Sequence, residues 1–590
     1  MGGSDATRAP STTRLDASGH EARAVPVAVP VILDEDAATA TVVTPVETVT
    51  LGAAALHAAL PLEANATTTI DAHLRTAAVD LSAEERRAPL DVVVALDRSG
   101  SMSGAKLALC QETIALLIRE LRSDDRFALV SFDHTVKREM DLASMDGDGA
   151  KARAEACAHR VKSGGTTNLS GGLLEALQIA ADASGAPAVA TPVTDDPPPP
   201  RRPSAREALS TAITSLFGRD ADGAVADGAV KEEAAAVAPP PGAPPKARVR
   251  AVMLLTDGHM NAGITDAAQL LNVVRGVLDG DAAGASLYCF GYGSDHNSQL
   301  LRQLSTAAGD GRGGYYFVES TESVVGAFAD CLGGLMSVVA QNVALEISPA
   351  PGSTISRVRR SGAVALDGGR WRVPLGDLFA EEERDVLVDV RLDAALGSAA
   401  AVPCIYFRVT YADVVASSLG RAEAVALISR DAAAGRAEAG LNPRVIVQRA
   451  RLDVADALSA ARAAADAGHL AEARETLSKA RAALAGAIEG IAGATDAERA
   501  LVTRLLDDID ECSRGLKTMD AYRSRGAHQM ASKAMAHSFQ RCMSDSDSDG
   551  DDVDAMEGGA TLSMPLSMPK SRNVYRNAAK KSMKLKWSSR

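Results

Sequence analysis

Five residues with oxygen-bearing side chains, spread over three points of the sequence, have the types that bind a hard divalent cation. They are Asp97, Ser99, Ser101, Thr167 and Asp257. The first three lie on one short stretch that also contains glycine, so a single tight turn can present all three oxygens. Hard oxygen ligands of this kind suit Mg²⁺, which prefers octahedral coordination. We therefore predict a Mg²⁺ site, with Ca²⁺ and Mn²⁺ as the alternative ions.

The elements around these residues are predicted to bring them to one edge of a sheet. The apolar run 91–96 favours a strand covered on both faces, and the amphipathic stretch 105–121 behind it favours a helix. Strands and helices then alternate to about residue 340, which predicts a parallel sheet wrapped by helices. Ligands of such sheets bind at the carboxyl ends of the strands, and Asp97 and Asp257 both follow a strand.

Catalysis at this site would need a base or a nucleophile beside the cation, and the sequence offers none. His259 is two residues from Asp257, where an exposed loop histidine is the simpler interpretation than a rim residue. There is also no P-loop, no nucleophile elbow, no HExxH helix and no GxGxxG after a strand. The sequence therefore predicts a binding protein and not an enzyme.

The five residues resemble the metal-ion-dependent adhesion site of von Willebrand factor A domains. The family pattern is Asp-x-Ser-x-Ser, then a threonine in a glycine-rich loop, then an aspartate after a later strand, and all five positions match. Thr167 is chosen over Thr166 because the family threonine usually precedes Asn or Asp, and Asn168 follows it. The resemblance implies a Rossmann-like domain whose metal keeps an open position. A partner protein's Asp or Glu carboxylate would fill that position.

Composition changes along the chain predict several further segments. In chain order they are 1–25, disordered; 26–88, strands of a β-sandwich; 89–340, the α/β domain, with 184–248 as a disordered Pro-rich insertion; 341–430, the remaining sandwich strands; 441–530, a helical hairpin or bundle; and 531–590, a disordered acidic and then basic tail. The strand sets on either side of the α/β domain are alike, and neither makes a good sandwich alone. We therefore predict one sandwich into which the α/β domain is inserted.

The tail carries two charge runs with opposite signs. Ser544, Ser546 and Ser548 each have an aspartate three residues on, the context that acidophilic serine kinases favour, although a solvated run is the simpler interpretation. Four lysines and a tryptophan near the end could make a weak contact with an anionic membrane or with the acidic run. They are Lys580, Lys581, Lys584, Lys586 and Trp587.

Charge and composition exclude several classes of protein. The 590 residues include 62 Lys+Arg and 76 Asp+Glu, and the net charge of −14 argues against a nucleic-acid partner. No segment reaches the roughly 18–20 consecutive apolar residues of a transmembrane helix, and the N-terminus lacks the apolar core of a secretory signal. Seven scattered cysteines without a CxxC pair indicate neither a disulfide framework nor a zinc module. A cytoplasmic protein is expected.

The whole layout resembles inter-alpha-trypsin-inhibitor-like and plant-type von Willebrand A proteins. Some of the plant proteins carry an N-terminal RING module and act as ubiquitin ligases, but this chain has no RING cysteines. We therefore predict a Mg²⁺-dependent protein-binding module. The alternatives are an adaptor or regulatory subunit of a ubiquitin-ligase assembly, and an extracellular inhibitor or matrix protein.

Overall fold

The computed structural model describes residues 32–33, 40–41, 48–61, 65–78, 87–147, 149–183, 248–293, 296–318, 321–394, 399–431, 441–489, 493–541, 575 and 577–588. The strands of these residues are β1 (Ile32–Leu33), β2 (Ala40–Thr41), β3 (Val49–Ala55), β4 (Ala59–Pro61), β5 (Ala66–Thr76), β6 (Leu90–Asp97), β7 (Arg126–Phe132), β8 (Val136–Ser144), β9 (Val249–Thr256), β10 (Ala285–Tyr292), β11 (Gly314–Val318), β12 (Val338–Pro349), β13 (Ser353–Val358), β14 (Val364–Ala365), β15 (Trp371–Phe379), β16 (Glu383–Leu392), β17 (Ala399–Asp413) and β18 (Ser418–Asp431).

The helices of the same residues are α1 (Ala105–Glu120), α2 (Ala150–Arg160), α3 (Leu169–Asp182), α4 (Ala267–Asp279), α5 (Ser298–Ser305), α6 (Thr321–Leu335), α7 (Pro443–Asp466), α8 (Leu470–Glu489), α9 (Asp496–Gly515), α10 (Met519–Ala521), α11 (Ala527–Phe539) and α12 (Ala578–Ser588). A π-turn over Tyr522–Gly526 joins α10 to α11. In this described part of the chain, no helix is long and apolar enough to cross a membrane.

The α/β unit has β6 at the centre of its sheet, with the strand order β11-β10-β9-β6-β7-β8. All neighbours pair in parallel except β8, which runs antiparallel at the edge and was not predicted. β6 is buried on both faces because helices cover both. Val92, Val94 and Leu96 join the core that includes α1 and α6, whereas Val93 and Ala95 join the core under α3 and α4. The strand order reverses at β6, so the carboxyl ends of β6, β7 and β9 lie side by side.

Two further sheets face each other around one core. One has the order β1-β2-β18-β17-β12-β15-β14, with β4 also paired to β18, and the other has the order β13-β16-β5-β3. β5 precedes the α/β unit and β16 follows it, and the two pair antiparallel from Glu383↔Arg75 to Leu392↔Ala66. The predicted fold class, a Rossmann-like unit inserted in a β-sandwich and followed by helices, is therefore confirmed.

The C-terminal helices differ from the sequence prediction at the tail. The prediction of disorder over 531–590 is wrong for 531–541, where α11 contributes Met535 and Phe539 to the core of the α/β unit. It is also wrong for 577–588, because α12 packs along α6 and buries Trp587. The Nζ of Lys586 lies 2.6 Å from a Glu120 carboxylate oxygen.

The predicted membrane contact is wrong for Trp587 and Lys580, since both are buried against protein. Three other predicted features lie outside the described residues. They are the segment 1–25, the Pro-rich insertion apart from Arg248, and the acidic run with Ser544, Ser546 and Ser548.

Candidate functional site

The first loop of the site begins at Asp97, the last residue of β6, and continues through Ser99 and Ser101. Asp97 is fully buried, and its Oδ1 accepts a hydrogen bond of 2.8 Å from the backbone N–H of Ser99. Its Oδ2 accepts a bond of 2.6 Å from the hydroxyl of Thr256 at the end of β9. The Ser99 and Ser101 hydroxyl oxygens lie 3.2 Å apart, with Ser99 buried and Ser101 exposed. One carboxylate and two hydroxyls thus meet on one turn.

The second loop carries Thr167 and is tied to the first by backbone hydrogen bonds. The N–H of Gly100 donates to the Gly165 carbonyl at 2.9 Å, and the N–H of Gly164 donates to the Arg98 carbonyl at 2.7 Å. Position 164 requires glycine, because a Cβ there would lie 1.8 Å from Oδ2 of Asp133. Thr167 is 2% exposed. The two loops are therefore held together by backbone hydrogen bonds, which do not use the serine and threonine hydroxyls.

The third loop follows β9 and carries Asp257, which is fully buried. Its Oδ1 accepts a bond of 3.4 Å from the backbone N–H of His259, an exposed residue. Its Oδ2 is buried and has no hydrogen-bond partner, and the Nζ of Lys106 lies 3.9 Å away. The Lys106 ammonium is too far away to donate a hydrogen bond to this oxygen, and a buried carboxylate oxygen without a hydrogen bond or a bound cation is costly.

Asn261 joins the third loop to the second. Its side-chain oxygen accepts a bond of 2.5 Å from the N–H of Thr167, and the Thr167 carbonyl accepts bonds from the N–H groups of Asn261 and Ala262. All five predicted residues thus lie on three loops that are hydrogen-bonded to one another at the carboxyl ends of β6 and β9.

The ionisation of Asp97 reflects its burial and its neighbours. Burial raises the pKa of Asp97 to about 6, hydrogen bonds from Thr256 and Ser99 oppose that rise, and the charge of Asp257 adds to it. A nearby cation reverses such a shift, because it favours the ionised form. The described residues contain no group of three or more His, Cys, Asp or Glu suited to a metal. A cation here would therefore depend on hydroxyl oxygens as well as on carboxylates.

Sequence reasoning missed the residues that support the loops. One of them is Asp133, which directly follows β7. It accepts hydrogen bonds from the backbone N–H groups of Thr135 and Gly165 and from the Arg98 guanidinium. Burial would raise its pKa, but these donors outweigh burial and lower the pKa to about 2. The available signal was its position directly after a strand, the same position that identified Asp97 and Asp257.

Comparisons with known proteins agree with the fold of the α/β unit. Residues 91–217 match the family described as von Willebrand factor type A domain, and residues 200–317 match a second family with the same description. The chain contains a von Willebrand factor type A domain. Domains of this type are generally protein-interaction modules, and many bind a divalent metal. Residues 499–556 match the family described as VWA / Hh protein intein-like.

Three curated relatives share part of their length with this chain. An uncharacterized protein from Synechocystis sp. is 24% identical over 321 residues, which are 53% of this chain and 59% of the relative. E3 ubiquitin-protein ligase WAV3 from Arabidopsis thaliana is 27% identical over 52% of this chain and 31% of its own length. Inter-alpha-trypsin inhibitor heavy chain H4 from Sus scrofa is 24% identical over 38% of this chain and 18% of its own length.

A solved structure extends the likeness beyond the von Willebrand A domain. The von Willebrand factor type A protein from Catenulispora acidiphila is 15% identical, with a TM-score of 0.51. The match covers 80% of this chain and 91% of the other. At this identity the likeness shows a shared fold, and it includes more than the α/β unit.

Proposed function

We propose that this protein binds a partner protein through a Mg²⁺ ion held by the five residues Asp97, Ser99, Ser101, Thr167 and Asp257. The observation that carries the proposal is the buried Oδ2 of Asp257, which has no hydrogen-bond partner in a loop cluster lined by hydroxyl oxygens. Because a cation would satisfy this oxygen and the hydroxyls together, the donor set fits a hard divalent ion. Ca²⁺ and Mn²⁺ are the alternative ions.

The charge balance of the donors explains why a partner carboxylate would bind. Three of the five ligands are neutral hydroxyls, so a bound ion would keep an electrophilic position on the exposed side of Ser101. A partner's Asp or Glu carboxylate would fill that position. Replacing that residue by Asn or Gln should weaken the binding free energy by about 2–5 kcal/mol, which is the range for truncating one member of a desolvated charge pair. The matched domain type is generally a protein-interaction module, which supports a binding role.

A selection experiment tests both the metal and the carboxylate. A random peptide library is panned on the full chain in Mg²⁺ and eluted with EDTA, and the same selection is run on Thr167→Ala. Enrichment of Asp or Glu at one fixed position, on wild type alone, is the expected result. Peptides that bind equally in EDTA, or that carry no acidic residue, would show that recognition occurs elsewhere.

A second candidate function is that of an adaptor in a ubiquitin-ligase assembly. The similarity to E3 ubiquitin-protein ligase WAV3 supports it, since the aligned 325 residues are 52% of this chain. Capture from source cells in Mg²⁺ and in EDTA, read by mass spectrometry, separates the two candidates. Ubiquitin-pathway proteins in the metal-dependent fraction favour the adaptor. Their absence, together with other partners that bind through acidic motifs, favours the plain binding module. The similarity to inter-alpha-trypsin inhibitor heavy chain H4 keeps the extracellular alternative open.

A cytoplasmic location is part of the same proposal. Six cysteines fall within the described residues, and all six are free thiols. Free thiols are the norm in a reducing compartment. Fractionation of source cells, followed by detection of the chain with an antibody, tests this point.

A further inference from the structure

Basic side chains surround the loops that carry the five proposed ligands. Lys162 and His259 are exposed, and so is His134. The His134 imidazole lies against the second loop, because a Cβ built on Gly165 would lie 2.8 Å from its Nδ1. Within the described loops at this edge, every exposed or half-buried ionisable side chain is basic. These loops are 98–106, 134–138, 159–168 and 258–265. An acidic partner surface therefore complements this basic rim, although the whole chain has a net charge of −14.

Lys106, the second residue of α1, joins this basic rim to the proposed metal site. Its Nζ lies 3.9 Å from Oδ2 of Asp257, which is an ion-pair distance but is too long for a hydrogen bond. The lysine side chain is 28% exposed, whereas the Asp257 carboxylate is fully buried. Lys106 is thus close to a proposed ligand and also in contact with solvent.

The charge of this edge depends on whether the cation is present. Arg98 and Asp133 neutralise each other, since a guanidinium nitrogen of Arg98 lies 2.9 Å from a carboxylate oxygen of Asp133. In the metal-free protein, the Asp257 carboxylate attracts the Lys106 ammonium. A bound divalent ion would need both site carboxylates, Asp97 and Asp257, to balance its own two charges. The edge would then carry one positive charge more than these acids neutralise, and Lys106 places that charge within reach of a partner.

We propose that Lys106 binds a second carboxylate of the partner, next to the carboxylate on the metal. This inference rests on the proposed function, since it needs the first carboxylate at the Mg²⁺ ion. A lysine ammonium is a compact charge on a flexible stem, so it can follow an incoming carboxylate while the metal holds Asp257. The partner is therefore a protein segment with two acidic residues, and not one that offers a lone Asp or Glu.

The short distance between Lys106 and Asp257 limits the spacing of the two acidic residues. The ammonium lies 3.9 Å from an oxygen that is itself a proposed metal ligand, so the two binding positions adjoin one carboxylate. In an extended segment, side chains two residues apart project from the same face and are about 7 Å apart. The sequences Asp-x-Asp and Glu-x-Asp therefore match the two positions, whereas acidic residues many positions apart do not.

Fluorescence anisotropy with three labelled Gly/Ser peptides tests the second contact on the full chain in Mg²⁺. One peptide has a single Asp, one has Asp-Ser-Asp, and one has two Asp residues separated by eight others. Wild type should bind the Asp-Ser-Asp peptide at least about tenfold more tightly than either of the others, which is the scale of a hydrogen bond to a charged group. Lys106→Met should remove this advantage. Lys479→Met is the matched control that keeps it, because Lys479 is exposed on α8 and pairs with Glu475.

Calorimetric titration with Mg²⁺ alone gives a readout that does not need a partner. Lys106→Met should bind Mg²⁺ at least about threefold more tightly than wild type, because a positive charge beside Asp257 repels the ion, whereas Lys106→Arg should stay close to wild type. If neither Mg²⁺ nor the single-Asp peptide binds, the proposed function fails and this inference fails with it. If both bind but the Asp-Ser-Asp peptide gains nothing over the single-Asp peptide, or keeps its advantage in Lys106→Met, the inference about Lys106 alone is overturned.

Discussion

Asp97→Asn should have opposite effects in the absence and in the presence of Mg²⁺. The pKa of Asp97 is about 6, against an ordinary value of 3.8. At about 1.4 kcal/mol for each pKa unit, keeping this buried carboxylate ionised at neutral pH costs the metal-free protein about 3 kcal/mol. Asparagine removes that cost but weakens one of the hydrogen bonds from Thr256 and Ser99, which costs about 1 kcal/mol. The metal-free variant should therefore be more stable by about 2 kcal/mol.

Thermal unfolding at neutral pH measures this difference. In EDTA the α/β unit of Asp97→Asn should melt about 4–8 °C above wild type, at about 2–4 °C per kcal/mol for a domain of this size. In Mg²⁺ the wild-type temperature should rise with metal concentration while that of the variant stays constant.

A matched control is Asp133→Asn, the same substitution at a buried carboxylate in the neighbouring loop. Its pKa is lowered to about 2 by hydrogen bonds that outweigh burial, so this variant should be destabilised in both buffers. If Asp97→Asn and wild type melt together in EDTA and shift equally in Mg²⁺, the reasoning about the site is refuted.

Three further predictions concern pH, a glycine and the last helix. Because the pKa of Asp97 in the folded protein lies above its ordinary value, the stability of the metal-free protein should fall as pH rises from about 4 to 6. The affinity for Mg²⁺ should fall as pH drops below about 6, because the carboxyl group becomes protonated. Calorimetric titration with Mg²⁺ at pH 5 and at pH 7.5 would give equal affinities if Asp97 is not a ligand. Gly164→Ala should lower the melting temperature of the α/β unit and weaken Mg²⁺ binding, because its Cβ would overlap Asp133. Gly276→Ala, in α4 of the same unit, is the control, because a Cβ there has nothing within 4 Å. Equal losses in the two variants would remove the steric argument. Trp587→Ala should lower the free energy of unfolding, measured with denaturant, by about 3–5 kcal/mol, because Trp587 is buried. Leu585→Ala is the control and should lower it by less than about 0.5 kcal/mol, because Leu585 is 74% exposed. Equal effects of the two substitutions would mean that α12 does not dock.

The strand and the first three candidate residues could be predicted because the information is local, whereas Thr167 and Asp257 were assigned through the resemblance to the family pattern. An apolar run followed by Asp-x-Ser-x-Ser specifies a buried strand and the turn behind it, whatever the rest of the chain does. The edge strand β8 was missed because its side chains are half exposed and charged, so it has neither the apolar run nor the clean alternation of a strand. The docking of α12 was missed because its lysine-rich sequence appears solvated until Trp587 and Lys580 find a surface on α6 and β15.

The role of Asp133 could be predicted only in part. Its position directly after a strand was visible in the sequence, but its hydrogen bonds depend on the close approach of Gly164 and Gly165, which only the fold brings about.

The central claim is that Asp97, Ser99, Ser101, Thr167 and Asp257 hold a divalent cation. The most direct measurement is an anomalous difference map from crystals of the full chain soaked in Mn²⁺. The account predicts one strong peak within coordination distance of the Ser99 and Ser101 hydroxyls and of the Asp257 carboxylate, and no peak there in crystals of Asp97→Asn. Crystals of wild type with no peak at these loops, or with Mn²⁺ bound only elsewhere, would contradict it.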